Sequence, residues 1–137
     1  MSDEEKAIIY GIVGGTPQYL LQINDKMSVE ENIRNTFLNP MSFLYEEPMN
    51  LLKQEVREPA IYTAIITAIA TGHSRMSEVS TKVGEDTNVC SGYLKNLINL
   101  GIIKKETPYG EKTSKKSIYS IEDNMFCFWY RFVLDNN

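Results

Sequence analysis

The chain has 137 residues, 42% of them hydrophobic and 23% charged, with a formal net charge of −4. That length suits one medium domain or two small ones, and the composition is that of a packed globular protein rather than a disordered one. No apolar run approaches the roughly 18–20 residues needed to span a bilayer, and the start MSDEEKAII lacks the basic-then-apolar layout of a signal peptide, so a cytoplasmic setting without membrane contact is expected.

The charge is unevenly spread. Residues 1–60 carry 5 basic and 10 acidic side chains, whereas residues 88–117 carry six lysines (Lys95, Lys104, Lys105, Lys112, Lys115, Lys116) against Glu106 and Glu111. The asymmetry points to two modules, of which only the second is suited to meet a polyanion. Cys90 and Cys127, the 2 cysteines, lie in apolar helical contexts and form neither a disulfide framework nor a metal quartet. Reduced packing residues are expected.

Asp3 to Val13 reads as a helix, with acidic residues in its first turn and Ala7, Ile8 and Ile12 on one face. The stretch GIVGGTPQYL, residues 11–20, then breaks it. Gly14 or Gly15 suits a helix end, Thr16 a cap and Pro17 the first position of a second short helix carrying Tyr19, Leu20 and Ile23. Ser28 to Leu38 is a third helix, in which Ser28 and Glu31 predict a capping box, Val29, Ile33 and Phe37 form the apolar stripe, and Asn39-Pro40 ends it. Glu46 to Val56 is a fourth, with Met49, Leu52 and Val56 facing inward and Pro48 tolerated in the first turn.

Arg57-Glu58-Pro59 marks a boundary. Pro59 to Thr71 is a strongly apolar helix with Ile61, Ile65, Ile69 and Ala60, Ala64, Ala68, closed by Gly72. Met76 to Val83 is a short helix that starts near Arg75 or Ser77 and stops before Gly84. Asn88 to Leu100 follows, burying Leu94, Leu97 and Ile98, with Gly101 at its end. The hydrophobic period then falls from 3.6 to 2, which predicts strands over Ile102 to Thr107 and Ser117 to Ile121, joined by the lysine-containing stretch Pro108 to Lys116. Asp123 is placed to cap a last helix, MFCFWYRFVL. Three helices, a short step into a strand, a basic hairpin tip and a second strand make the winged helix-turn-helix pattern, with a long wing.

No catalytic constellation is visible. His73 sits beside Gly72 and reads as a solvated turn residue. Glu46, Glu47, Glu55 and Glu58 read as a solvated helix face, since no histidine or aspartate shares metal-ligand spacing with them. GIVGG lacks the lysine and hydroxyl residue of a phosphate-binding loop. No catalysis and no metal site are therefore expected. Double-stranded DNA is the candidate partner. In a winged helix the third helix enters the major groove, which brings Asn88, Ser91, Gly92, Lys95 and Asn96 to phosphates or base edges, while Lys112, Lys115 and Lys116 of the wing straddle the backbone. The same helix carries one basic residue and no arginine, which is poor equipment for reading guanine and suits equally a winged helix that packs only on protein. Phe126, Phe128, Trp129, Tyr130 and Phe132 are too many aromatics for one helix face. Phe128, Trp129 and Phe132 are assigned to docking a partner, including a second copy of the chain.

The runs GGTPQYL, SFLYEEPMNLLKQEVREPAIYTAIITAIATG, SGYLKNLINLGIIKK and IYSIEDNMFCFWYRFV resemble the C-terminal half of the archaeal-type P-loop ATPases, which are AAA+-related. The resemblance covers residues 8–133 in order and approximate spacing. It implies a mainly α fold: a helical lid-like subdomain over 1–57, then a winged helix-turn-helix over 58–137 with a two-stranded wing and a C-terminal aromatic-rich helix. It also implies a missing partner domain, the P-loop domain, to which ATP and magnesium belong. On the same resemblance Gly15, Thr16 and Pro17 match the lid turn that contacts the nucleotide base, and the chain is expected to be a regulatory fragment of a switch ATPase. A free-standing winged-helix transcriptional regulator, or a winged helix used only for protein interaction, remain the other readings.

Overall fold

The computed structural model describes residues 1–107 and 117–134, so Lys112, Lys115 and Lys116 lie outside the described residues. It is mainly helical, with one small two-stranded antiparallel sheet. The chain divides into two compact units, Met1–Arg57 with Asn124–Asn137, and Glu58–Asp123. The first crossing is the one the Arg57-Glu58-Pro59 step marks. The second differs from the sequence division, which runs the winged-helix domain to 137, because the last helix packs within the unit formed by the N-terminal helices.

In the first unit, α1 (Asp3–Val13) is closed at its start by a reciprocal capping box in which the Glu5 N–H donates to Ser2 Oγ and the Ser2 N–H to Glu5 Oε1. Those two bonds satisfy backbone donors that the first helical turn leaves without partners. Gly14, at a φ of 70°, ends α1 and donates its N–H to the Tyr10 carbonyl. α2 (Pro17–Leu20) follows with Pro17 at its first position, but the Thr16 side chain makes no cap bond. α3 (Val29–Phe37) is capped by Ser28, whose Oγ accepts from the Glu31 N–H. The expected box is half formed, since the Glu31 carboxylate accepts from the Ser28 hydroxyl instead of from its N–H.

The buried face of α3 is also rotated from the expected stripe. Asn32, Thr36 and Phe37 are buried, while Val29 and Ile33 are only half-buried. Asn32 Nδ2 donates to the carbonyls of Asn24 and Ser28, both at 2.9 Å, and Oδ1 accepts from the Asn24 N–H at 2.8 Å. The amide therefore ties down the loop before the helix, and burial costs it little because its polar atoms are paired. A single 3₁₀ turn (Phe43–Tyr45) leads into α4 (Glu47–Glu55). Then, after the second unit, α8 (Asn124–Phe128) runs into a π-helical turn (Trp129–Val133). Phe128 meets Phe37 with ring centroids 5.0 Å apart, and the Trp129 indole N–H donates to the Tyr45 carbonyl at 2.9 Å.

The second unit holds α5 (Pro59–Ala70), α6 (Met76–Val83), α7 (Thr87–Asn99) and the hairpin of β1 (Ile103–Glu106) and β2 (Ile118–Ile121). α5 buries Tyr62, Ile65, Ile66, Ala68, Ile69 and Ala70. Ala60 and Ala64, part of its apolar run, are exposed. The strands pair in the register Ile103 with Ile121 and Lys105 with Tyr119. Beyond them the Tyr119 N–H donates to the Ser74 carbonyl at 2.7 Å, which attaches the α5–α6 connection to the open edge of β2. Val79, Cys90, Leu94, Leu97, Ile103 and Tyr119 are all buried in this unit.

Candidate nucleic-acid interface

α7 begins at Thr87, one residue before the expected start, because Asp86 is the cap: its Oδ1 accepts from the Val89 N–H at 2.8 Å. Cys90, Leu94 and Leu97 point inward, and the 3.6-residue period then leaves Asn88, Ser91, Gly92, Lys95 and Asn96 exposed together. An open groove is lined by Asn88, Val89, Gly92, Tyr93, Lys95 and Asn96. The five positions expected on this helix thus share one accessible side.

Residues from α5 also reach this side, and the sequence did not reveal them. Asn96 Nδ2 donates to the Tyr62 hydroxyl at 2.8 Å, the Tyr62 and Tyr93 rings meet edge to face at 4.8 Å, and the Tyr93 hydroxyl donates to Glu58 Oε2 at 3.3 Å. Desolvation, then the Glu58 carboxylate, holds the Tyr93 phenol above its ordinary range, so it remains a neutral donor. Near the start of α7 the Cys90 thiol is likewise raised, by burial first and then by the charges of Glu85 and Asp86. The surroundings of α7 therefore combine three carboxylates, Glu58, Glu85 and Asp86, with Lys95. On the hairpin, Lys104 pairs with Glu106 at 3.5 Å, and Lys105 lies 5.8 Å over the Tyr119 ring.

His73 is half-buried rather than a solvated turn residue. Its Nδ1 lies 3.1 Å from the Ala68 carbonyl, so the ring closes the end of α5. Among the described residues, no group of three or more His, Cys, Asp or Glu is placed to hold a metal ion.

In the first unit, Gly15, Thr16 and Pro17 are exposed at the α1–α2 turn. The Tyr10 ring covers Gly15, and a Cβ there would meet Tyr10 Oη at 3.4 Å. Gly15, Thr16 and Pro17 therefore lie together on one accessible turn, and none of their side chains is cationic. Of the aromatics assigned to docking, Trp129 is 1% exposed and bonded to Tyr45, which makes it a core residue and corrects that assignment. Phe128 is half-buried between Phe37 and Phe132. Phe132 is 49% exposed, with the Arg131 guanidinium 5.0 Å from its ring centre.

These features define a mainly helical chain whose second unit presents a polar helix face beside a hairpin. No family model matches the chain, and no solved structure matches it. It is similar to an uncharacterized protein of Methanocaldococcus jannaschii, 35% identical over 134 residues that make up 97% of this chain and 30% of that protein. The chain thus spans less than a third of the relative's length. Among the described residues, no helix is long and apolar enough to cross a membrane.

Proposed function

We propose that this chain is the helical-lid and winged-helix portion of a P-loop switch ATPase of the archaeal type, a regulatory module that contacts double-stranded DNA and has no catalysis of its own. The observation that carries this reading is the bond from Tyr119 to Ser74. It joins the α5–α6 connection to the edge of β2 by one backbone hydrogen bond, which supports reading α5, α6, α7 and the hairpin as a winged helix with α7 as its groove-entering helix. The match to 30% of a longer relative agrees with a module carried within a larger chain.

In this reading, ATP and magnesium act at a P-loop domain, and nucleotide held there supplies the energy difference between two lid positions. The Gly15–Pro17 turn feels the base, and the winged helix follows the lid. α7 brings Asn88, Ser91 and Lys95 to the duplex, with Lys112, Lys115 and Lys116 on the neighbouring phosphates. The module works in the cytoplasm.

Duplex binding measured by fluorescence anisotropy across salt concentrations tests this. Weak, salt-sensitive binding is expected. Lys115→Ala with Lys116→Ala lowers the affinity and flattens the slope of log affinity against log salt by about 1.8, at roughly 0.9 per lost phosphate contact. Unchanged binding in the double variant removes the wing from the interface. The carboxylates of Glu58, Glu85 and Asp86 favour a second reading, in which the α7 side packs on another protein domain. No duplex binding, together with association between this chain and the remainder of the longer relative, selects that reading.

A further inference from the structure

Asn88, Gly92 and Asn96 follow one another at four-residue spacing on the exposed side of α7, forming one row along the helix surface. At the centre of the row, nothing lies within 4 Å of where a Cβ on Gly92 would sit. Gly92 is not among the glycines of positive φ. Neither packing nor backbone conformation therefore requires glycine here, although glycine is a poor residue for a helix interior. The end of the row is built differently. Asn96 is exposed, yet its amide is fixed by the hydroxyl of Tyr62, which is itself buried and held edge-on by Tyr93.

That single bond leaves Asn96 one N–H and its carbonyl oxygen for an incoming group. A donor and an acceptor side by side on a planar amide complement the major-groove edge of adenine, where N7 accepts and N6 donates; guanine presents two acceptors there. An asparagine is short, so it reaches a base edge only where the helix backbone comes close to the duplex. A bare Cα one turn earlier permits that approach.

We infer that Asn96 is a specificity-determining residue that reads the adenine of an A·T pair in the major groove, with Tyr62 as its positioning residue and Gly92 as the point of close approach. The inference rests on the DNA-contact reading above. The test is selection of bound duplexes from a randomised pool by the full chain, alongside Asn96→Ala and Tyr62→Phe.

The unaltered chain enriches one A·T pair, with a preference of about 5- to 150-fold. Asn96→Ala abolishes that preference while salt-dependent binding persists. Tyr62→Phe keeps the ring and loses only the hydroxyl, so it weakens the preference by about two- to tenfold, the effect of freeing one side chain, with helical content unchanged. Duplex binding with no enriched position, or enrichment that survives Asn96→Ala, overturns the inference and leaves the DNA-contact reading standing. Absence of all duplex binding overturns both.

Discussion

Replacing Gly92 with alanine separates the stability of α7 from its use. Glycine inside a helix is less favourable than alanine by about 0.8–1.0 kcal/mol, mainly because the unfolded chain loses more freedom. The added methyl group meets no atom within 4 Å, so nothing in the fold opposes that gain. The α7 amides should therefore exchange with solvent about fivefold more slowly by native-state hydrogen exchange. On the proposed DNA-contact reading the same methyl group stands between the duplex and Asn96, so affinity should fall about tenfold, or ~1.4 kcal/mol. Gly11→Ala is the control. Gly11 lies within α1 in the other unit, is exposed, and has nothing within 4 Å of its Cβ position. It should stabilise α1 to a similar extent and leave DNA affinity untouched. If Gly92→Ala binds duplex DNA as well as the unaltered chain, the close-approach argument is wrong; if it destabilises α7, so is the helix argument beneath it.

Asn32→Asp should be among the most damaging single changes in the first unit. It replaces the donors that now meet the Asn24 and Ser28 carbonyls with a buried carboxylate oxygen, a loss of about 3–5 kcal/mol from broken bonds and stranded carbonyls. Urea titration followed by the fluorescence of Trp129, the single tryptophan and a core residue of that unit, measures it. A loss below about 0.5 kcal/mol, within the range of ordinary surface changes, refutes it. A pH effect should come from Glu5, whose carboxyl is held below the usual glutamate range by the Ser2 backbone N–H first and the Ser2 hydroxyl next. A lowered carboxyl contributes stability above its unfolded pKa and loses it as pH falls through the folded one. The stability gap between the unaltered chain and Glu5→Gln should therefore be constant above about pH 5.5 and shrink below 4.5; a gap independent of pH contradicts the capping-box account.

Local chemistry was legible wherever one short stretch decides the outcome. α1 runs from Asp3 to Val13 as its acidic first turn and the following glycines require, and the fall in period from 3.6 to 2 marks the hairpin. The rest depended on partners far along the chain. The stripe of Val29, Ile33 and Phe37 leaves Asn32 and Thr36 out, because only the loop carbonyls that these two bond make the burial of their polar side chains affordable. Tyr62 and Asn96 are 34 residues apart, so no spacing rule connects them. The aromatic C-terminal run is visibly too rich for one face, but its destination is not legible, since hydrophobic burial is not directional. Trp129 reads as a docking residue until the Tyr45 carbonyl, 84 residues earlier, is seen to accept its indole N–H.

That last contact has a consequence during synthesis. The first unit is interrupted by the whole of the second, and Asn124 bonds the Tyr10 carbonyl across 114 residues. Long-range closures of this kind are slow to form, because loop entropy is lost before the contacts compensate for it. On a ribosome adding about 5–20 residues per second, the helices of residues 1–57 emerge many seconds before α8 exists to cover Phe37. The later-made unit has all its elements between residues 58 and 123 and should be able to close before the first is complete. Folding order should thus be inverted relative to chain order, and nascent chains stalled between residues 60 and 120 are where chaperone dependence should concentrate.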